Sequence, residues 1–372
     1  MLIGIPKEIK NNEFRVGLAP FAVRELVHHG HGVLVEAGAG AGIGMDNAAY
    51  EAAGAVIAAS AADVFERAQM IVKVKEPQAA ECSMLGRGQL LFTYLHLAPD
   101  PDQTRALVDS GCVAIAYETV TDEHGRLPLL APMSEVAGRM AIQAAATCLE
   151  KEHGGAGILM GGVPGVAPAN VVVLGGGVVG TNAALVAMGM GARVTVLDKS
   201  HDKLRSLDLQ FGSRLSTIYS TVGSIEDYIA GADVVVGAVL APGAETPKLV
   251  SRALVASMRP GSVALDVAID QGGCFETGHP TTHADPTYRE EGVVHYCVAN
   301  MPGAVPRTST IALNNATLPY VLFLADNGYR RALAADPGLM AGLNVHQGRV
   351  TYRAVAKALD YPFSPPEDAI AK

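Results

Sequence analysis

A glycine-rich segment between two apolar stretches is the part of the chain whose residue types and spacing point most directly to chemistry. Residues 170–198 read NVVVLGGGVVGTNAALVAMGMGARVTVLD, which is an apolar strand, a glycine turn, a helix of small residues and a second strand. Gly175 permits a tight turn, Gly177 lets the backbone approach a pyrophosphate, and Gly180 lets the helix pack closely on the sheet. The free N–H groups at the helix N-terminus attract an anion. The pattern predicts a dinucleotide-binding βαβ unit.

The acid at the end of this unit indicates which dinucleotide is bound. Asp198 follows the strand VTVL, where a carboxylate can accept both ribose hydroxyls and would repel a 2′-phosphate. NAD is therefore favoured over NADP. Lys199, Lys203 and Arg205 follow the acid, and they fit either the solvated face of the next helix or a phosphate site, so NADP stays an alternative.

Titratable side chains follow apolar runs in the N-terminal part of the chain. In MIVKVKEP, alternation along a predicted strand places Lys73 and Lys75 on the face opposite two valines. In QLLFTYLHLAP, His96 falls at the carboxyl end of a strand, where open parallel sheets bind ligands. We therefore expect Lys75 and His96 to meet at one crevice. Taken singly, Lys75 also fits an edge-strand charge and His96 a partly buried residue bonded to backbone.

Three further positions carry groups suited to substrate or cofactor chemistry. Arg15, in the loop KNNEFRVGLAP, can bind a carboxylate through two parallel hydrogen bonds, or it is a solvated loop residue. Asp270, at the end of the predicted strand VALDVAID and before Gln-Gly-Gly, suits an acid or base near a nicotinamide, or it is a turn-forming Asp. Asn300 and Met301, in HYCVANMPGAVPRTST, lie at the expected cofactor edge.

The elements that must position these groups alternate between strand-like and helix-like runs. From LIGIP to CVAIAYETV this alternation predicts a parallel α/β sheet, and residues 132–153 and 311–327 read as long helices on either side of the nucleotide-binding segment. The predicted fold class is α/β, with two doubly wound Rossmann-like domains linked by long helices. The NAD-binding domain (131–306) is inserted in a substrate domain (1–130 and 307–372), and the active site is expected in the cleft between them.

Composition limits the classes of function. The chain has 372 residues, 49% of them hydrophobic, and a net charge of −9, so a broad basic surface for nucleic acid or acidic membranes is not expected. Five scattered cysteines without a CxxC pair, and histidines without rigid ligand spacing, predict reduced thiols and no metal site. The first residues, MLIGIPKEIK, lack the apolar region of a secretory signal, which predicts a cytoplasmic protein.

Several motifs together are more specific than the glycine turn. IGIPKEIKNNEFRV, IVKVKEP, LHLAPD, PLLAPMSEVAGRMA, the glycine motif with TVLD, DVAIDQGGCFETGHPTTHADPTY and VANMPGAVPRTS span nearly the whole chain. In these motifs the chain resembles the alanine dehydrogenases. The resemblance implies reversible oxidative deamination, in which L-alanine, NAD⁺ and water give pyruvate, ammonium and NADH. It also implies a homohexamer acting in amino-acid catabolism.

The resemblance assigns roles to matched residues. Arg15 and Lys75 would hold the substrate, and His96 and Asp270 would serve in acid/base steps. The positions that would bind NAD are Ser134, Gly175, Gly177, Val178, Val179, Gly180, Asp198, Lys203, Ser220, Val239, Leu240, Val267, Ala268, Ile269, Asp270, Val298, Ala299, Asn300 and Met301.

Two alternatives stay open. The NAD-binding subunit of proton-translocating transhydrogenase resembles this chain in the early KE motif, the glycine turn and the QGG loop, although that subunit tends to carry a glutamate where Asp270 precedes Gln271. A non-catalytic NADH-responsive binding protein is the second alternative, because a nucleotide-binding fold does not by itself establish turnover. His96 in LHLAP and the Asp270 position favour the dehydrogenase.

Overall fold

The chain folds into two compact units, each built on its own sheet. The structure, a computed structural model, describes residues 1–239 and 246–371. One unit is Ser134–Ala304, and the other combines Met1–Met133 with Val305–Lys372. Among the helices of the described residues, none has both the length and the apolar character that crossing a membrane requires.

The N-terminal part of the first unit alternates strands and helices, as the sequence predicts. Its strands are largely buried, as expected for parallel strands covered on both faces. The elements are β1 (Leu2–Ile5), α1 (Pro20–His28), β2 (Gly32–Glu36), α2 (Asn47–Ala52), β3 (Val56–Ala58), α3 (Ala61–Arg67), β4 (Met70–Val72), α4 (Ala79–Cys82), β5 (Leu90–Thr93), α5 (Pro101–Ser110) and β6 (Val113–Ala116). The short helices α3 and α4 were not among the predicted elements.

The second unit repeats the same alternation around the glycine turn. Its elements are α6 (Ala131–Cys148), which begins just before the unit, β7 (Asn170–Leu174), α7 (Val178–Gly189), β8 (Arg193–Asp198), α8 (His201–Phe211), β9 (Leu215–Tyr219), α9 (Val222–Ile229), β10 (Val234–Gly237), α10 (Arg252–Ala256), β11 (Val263–Asp266), β12 (Thr287–Glu290) and β13 (Val293–Tyr296). Short 3₁₀ helices at Lys151–His153, Ile269–Gln271 and Met301–Ala304 lie between them or follow them.

The C-terminal part returns to the first unit and completes its sheet. It contains α11 (Pro306–Asn327), α12 (Tyr329–Ala335), α13 (Pro337–Met340), β14 (Leu343–His346), β15 (Arg349–Val350), α14 (Arg353–Leu359) and α15 (Pro366–Ile370). Strand β14 pairs antiparallel with both β6 and β15. The first sheet is therefore mixed at this edge, where the sequence predicted a parallel sheet.

Both sheets have the doubly wound order, which confirms the predicted fold class. The first sheet runs β15-β14-β6-β5-β4-β1-β2-β3, and the second runs β12-β13-β11-β10-β7-β8-β9. In each sheet the first strand lies in the middle and the later strands are added on either side. The strand order therefore reverses between β1 and β4 in the first sheet and between β7 and β10 in the second. Ligands bind at such reversal points, beyond the carboxyl ends of the strands.

Three predicted element boundaries are wrong. Strand β4 ends at Val72, so Lys73 and Lys75 follow the strand instead of alternating within it. Strand β11 ends at Asp266, so Asp270 lies in the turn beyond the strand. Helix α11 begins at Pro306 rather than at residue 311, because proline fits the first helical turn, where no N–H bond is needed.

The predicted helix 132–153 is also too long. Helix α6 ends at Cys148, and a glycine turn follows it. Gly155 N donates to the Glu150 carbonyl at 3.0 Å and Gly157 N donates to the Leu149 carbonyl at 2.8 Å, which satisfies carbonyls that a longer helix would use.

Candidate functional site

The loop after β1 carries Arg15 against the end of β4. A Cβ atom at Gly17 would lie 2.3 Å from the Val72 carbonyl oxygen, so only glycine allows this close approach. Asn314 of α11 holds the loop from the other side, because its Nδ2 donates to the Gly17 carbonyl at 2.7 Å and its Oδ1 accepts from Ala19 N at 2.5 Å. Arg15 therefore lies at the β1/β4 reversal point.

Arg15 is buried, and a neighbouring carboxylate fixes its orientation. Glu13 Oε1 accepts from Arg15 Nε at 2.6 Å, and Glu13 Oε2 lies 2.5 Å from Arg15 Nη2. Burial alone would lower the pKa of Arg15, but the hydrogen bond and the charge of Glu13, with smaller contributions from Tyr94 and Glu8, together outweigh burial and raise it. Burial would likewise raise the pKa of Glu13, and Arg15 brings it below its usual value. Arg15 Nη1, which takes no part in the pair with Glu13, donates to Met133 Sδ at 3.2 Å.

Lys75 adds a positive charge beside this pair. Its ammonium group is half-buried and has no hydrogen-bond partner within the described residues. Burial lowers the pKa of Lys75, the Glu76 carboxylate opposes this effect, and the positive charge of Arg15 reinforces it. Lys73, by contrast, is fully buried and lies 2.9 Å from Glu8 Oε2 and 2.7 Å from Glu81 Oε1. Of the two lysines, Lys75 is the one suited to an incoming anion.

His96 lies in a tight turn after β5. Its backbone has a left-handed conformation (φ 50°), and its ring stacks on Tyr94 with ring centroids 6.0 Å apart. Glu118, which follows the adjacent strand β6, accepts from His96 N at 2.7 Å and lies 3.9 Å from His96 Nδ1. This carboxylate both fixes the turn and faces one ring nitrogen, while about half of the side chain remains exposed for proton exchange.

The glycine turn of the second unit has the geometry of a pyrophosphate cradle. Gly175 has φ 102°, and a Cβ atom at Gly180 would lie 1.8 Å from the Gly175 carbonyl oxygen, so contacts within the protein require both glycines. A Cβ atom at Gly177 would instead meet no atom within 4 Å. Open space at Gly177, next to the N-terminus of α7, fits close approach of a ligand phosphate. These residues therefore fit a dinucleotide.

Asp198 ends β8 beside this turn. Its Oδ2 accepts from Gly176 N at 2.6 Å and its Oδ1 accepts from Ser200 N at 2.8 Å. An ionised carboxylate has about four acceptor sites, so two backbone bonds leave room for two ribose hydroxyls. Lys203 Nζ lies 3.7 Å from Asp198 Oδ2 and is half-exposed, so its predicted cofactor contact stays a prediction.

Most of the other predicted cofactor positions follow the carboxyl ends of strands in the second sheet. Ser220 follows β9, Val239 follows β10, residues 267–270 follow β11 and residues 298–301 follow β13. Ser134 lies in the first turn of α6, and Val178 and Val179 open α7. Leu240 lies outside the described residues.

Asp270 is exposed in the 3₁₀ turn after β11. Its Oδ2 accepts from Asn300 N at 3.5 Å, and Asn300 has a left-handed backbone (φ 60°). The buried acid of this region is Asp266, whose Oδ2 accepts from Cys274 N at 2.8 Å and Phe275 N at 3.3 Å. Burial raises the pKa of Asp266 to about 6. Asp266 therefore holds the two ends of the loop that carries Asp270.

Part of the predicted set follows neighbouring strands of one sheet. Arg15, Lys75 and His96 follow the neighbouring strands β1, β4 and β5 of one sheet, whereas Asp270 belongs to the second unit. The sequence analysis missed four buried or half-buried carboxylates that support this set, at Glu8, Glu13, Glu118 and Asp266. Glu8 and Glu118 lie just after strands and Asp266 is the last residue of one, which was the available signal for these three; the sequence around Glu13 offered none. Within residues 1–239 and 246–371, no group of three His, Cys, Asp or Glu side chains is placed to hold a metal ion.

The two doubly wound sheets and the glycine turn define an α/β protein of the dinucleotide-binding class. Family models named "Alanine dehydrogenase/PNT, N-terminal domain" and "Alanine dehydrogenase/PNT, C-terminal domain" match residues 4–137 and 141–353. The chain belongs to the alanine dehydrogenase/PNT family, which confirms the resemblance seen in the motifs. This family implies a nicotinamide dinucleotide as cofactor.

Individual relatives are similar over nearly the full length. An alanine dehydrogenase of Halomonas elongata is 60% identical over 358 residues, which cover 96% of each chain. A solved L-alanine dehydrogenase structure has a TM-score of 0.94 at 53% identity and covers 97% of this chain and 99% of that chain. A transhydrogenase structure from Sinorhizobium meliloti has a TM-score of 0.81 at 26% identity and covers 95% of this chain and 100% of that one.

Proposed function

We propose that the chain is an NAD-dependent L-alanine dehydrogenase. The overall reaction converts L-alanine, NAD⁺ and water to pyruvate, ammonium, NADH and a proton, and it is reversible. The observation that carries the proposal is the group formed by Arg15, Lys75 and His96 after three neighbouring strands, in a chain that also holds a dinucleotide turn. A protein that only binds a nucleotide would not need these two cations and a histidine in its other unit.

Substrate binding is assigned to Arg15 and Lys75. Because Glu13 and Arg15 carry opposite charges at 2.5 Å, this pair has no net charge, and Lys75 supplies the net attraction for a carboxylate. Arg15 then directs the carboxylate through hydrogen bonds from a fixed guanidinium. Orienting the substrate in this way places its α-hydrogen for transfer, and orientation of this kind lowers the barrier of a reaction between bound partners.

Proton transfer is assigned to His96. The alanine amine must lose a proton before hydride leaves Cα, water must then attack the iminium carbon, and ammonia must leave the carbinolamine. Imidazole suits these steps because it exchanges protons near neutral pH, and Glu118 faces its Nδ1 atom. Asp270 is assigned either to positioning the water or to tuning His96.

Cofactor binding is assigned to the second unit. When bound, the nicotinamide ring accepts the hydride from the substrate Cα and returns it in the reverse reaction. The turn at Gly175–Gly180 holds the pyrophosphate, and Asp198 accepts the ribose hydroxyls, which favours NAD over NADP. A homohexameric assembly, a cytoplasmic location and a role in amino-acid catabolism belong to the same proposal and rest on the family resemblance.

The test is NADH formation by the purified full chain with NAD⁺ and L-alanine at alkaline pH. NADP⁺, other amino acids and omission of alanine are the controls. We expect reduction that depends on alanine and on NAD⁺. Tight NADH binding without alanine-dependent reduction would contradict the proposal and favour a transhydrogenase-like or purely binding protein.

A further inference from the structure

A buried cluster of three charged side chains lies next to Lys75 and has no role in the chemistry described above. Lys73 is fully buried, and its ammonium contacts Glu8 Oε2 at 2.9 Å and Glu81 Oε1 at 2.7 Å. Burial alone would lower the pKa of Lys73, but the two carboxylates outweigh burial and raise it. A buried ammonium requires such partners, because an unpaired charge in the interior is strongly unfavourable.

The second oxygen of each carboxylate binds main-chain N–H groups. Glu8 Oε1 accepts from Val74 N at 2.7 Å and from Lys75 N at 3.3 Å. Glu81 Oε2 accepts from Gln78 N at 2.8 Å. The cluster therefore holds the backbone on both sides of the segment that carries Lys75. Beyond the end of β4, Lys73 N still donates to the Phe92 carbonyl at 3.2 Å and the Val74 carbonyl accepts from Tyr94 N at 3.3 Å, and Glu8 adds bonds at the N–H groups of Val74 and Lys75.

Neutralising the buried ammonium of Lys73 does not by itself require Glu8. One carboxylate, that of Glu81, is sufficient to neutralise Lys73, and burial raises the pKa of the second carboxyl group, Glu8, above its usual value. The extra carboxylate is the one that binds Val74 N and Lys75 N. Because buried ion pairs contribute little net stability, the directed bonds to the backbone are the more informative feature.

We propose that Glu8 is a positioning residue for the substrate. Through its hydrogen bonds to Val74 N and Lys75 N it sets the direction in which the Lys75 ammonium meets the substrate carboxylate, and Lys73 fixes the Glu8 side chain. This inference rests on the proposed function and on the role of Lys75 in it.

The experiment measures pyruvate binding to the enzyme–NADH complex without ammonium, through the fluorescence of bound NADH. Wild type, Glu8→Gln, Lys75→Met and the double variant are compared. We expect each single change to weaken pyruvate binding about tenfold or more and NADH binding to change less than about twofold. If Glu8 acts through Lys75, the double variant binds pyruvate no more weakly than Lys75→Met, because effects through one shared contact are not additive.

The matched control is Glu36→Gln. Glu36 Oε2 accepts from Lys7 N at 2.7 Å, so it supports the same loop one residue before Glu8 without a bond to the Lys75 segment. This variant should bind pyruvate like wild type. Glu8→Asp is the second variant: it keeps the charge beside Lys73, but its shorter side chain cannot reach both the ammonium and the main chain. It should fold even if Glu8→Gln does not, and it should weaken pyruvate binding.

The outcomes separate this inference from the proposed function. A wild-type protein that shows no alanine-dependent NADH formation would overturn the proposed function, and this inference with it. An active wild type whose Glu8 variants bind pyruvate normally would overturn only the positioning role of Glu8. Additive losses in the double variant would also overturn it, because they indicate a general effect on the fold.

Discussion

The carboxylate of Glu13 holds the guanidinium of Arg15 along one edge, with Nε–Oε1 at 2.6 Å and Nη2–Oε2 at 2.5 Å. Both side chains are buried, so this geometry exists before a substrate binds. Arg15 is thus oriented in advance, and its charge is balanced within the protein. In the proposed function, Arg15 would give a substrate carboxylate its direction and Lys75 would supply the net positive charge.

Replacing Glu13 with Gln should therefore weaken alanine binding. The neutral amide cannot accept from both Nε and Nη2, so Arg15 loses its fixed orientation. We expect KM for L-alanine to rise about tenfold with a smaller change in kcat and an unchanged Kd for NADH. Asp122→Asn is the control, since Asp122 pairs with Arg126 at 2.7 Å on an exposed surface. An unchanged KM in Glu13→Gln would remove Glu13 from the substrate site.

His96→Ala should abolish most turnover while leaving cofactor binding intact. Loss of a general acid–base group reduces kcat about 10²- to 10⁴-fold. Cofactor binding should be retained because His96 belongs to the first unit, whereas the predicted nucleotide residues belong to the second. The measurements are steady-state rates and NADH titration. His124→Ala, at an exposed histidine beside Glu123, is the control and should stay active. A His96→Ala enzyme with near-normal rates would exclude His96 from the proton steps.

Asp198→Ala should alter cofactor preference. The change removes the acceptor for the ribose hydroxyls and the bond to Gly176 N, so we expect NADH to bind about tenfold more weakly or worse. Rejection of NADP should relax because the repelling charge is gone. Asp202→Ala, an exposed acid in the adjoining helix, should behave like wild type. The measurement is the ratio of kcat/KM with NAD⁺ to kcat/KM with NADP⁺. An unaltered ratio would refute the assignment of Asp198 to the ribose hydroxyls.

Asp266 should make stability fall as pH rises through the weakly acidic range. Burial raises its pKa from 3.8 to about 6, so the native state binds the proton more tightly than the unfolded state does. Its contribution is therefore fully present below about pH 4 and is lost as the pH approaches about 6. The shift corresponds to on the order of 3 kcal/mol in the free energy of unfolding.

Urea unfolding of wild type and Asp266→Asn between pH 4 and 7 measures this effect. The variant has no ionisable group at this position, so wild type should lose stability relative to the variant as pH rises. Parallel stability curves for the two proteins would show that Asp266 does not titrate in this range.

Local patterns in the sequence were sufficient to predict the position of the glycine turn and the position of Asp198 at the end of a strand. Each position depends only on residues within one βαβ unit. The end of β4 was not predictable in the same way. The alternation in VKVKEP continues past Val72, but the Val74 and Lys75 N–H groups bond to the distant Glu8 side chain. The Val74 carbonyl still accepts from Tyr94 N of the next strand segment, whereas these two N–H groups have a partner that is distant in sequence.

The carboxylates that bind Arg15 and His96 were not predictable either, because their burial and their partners depend on how the chain folds. Glu13 is two residues from Arg15, yet nothing in NEFR distinguishes an exposed glutamate from one that is buried against a guanidinium. Glu118 reaches His96 only because β5 and β6 are neighbours in the sheet. The antiparallel pairing of β14 with β6 likewise depends on how the C-terminal segment packs, not on its own pattern.

The proposed function requires that hydride passes from Cα of L-alanine to a nicotinamide bound by this chain. L-Alanine deuterated at Cα, incubated with NAD⁺ and the purified protein, tests it directly when the reduced cofactor is examined by NMR or mass spectrometry. We expect reduced cofactor that carries deuterium on the nicotinamide ring, formed in an amount equal to the pyruvate. Reduced cofactor without deuterium, or no alanine-dependent reduction, would contradict it.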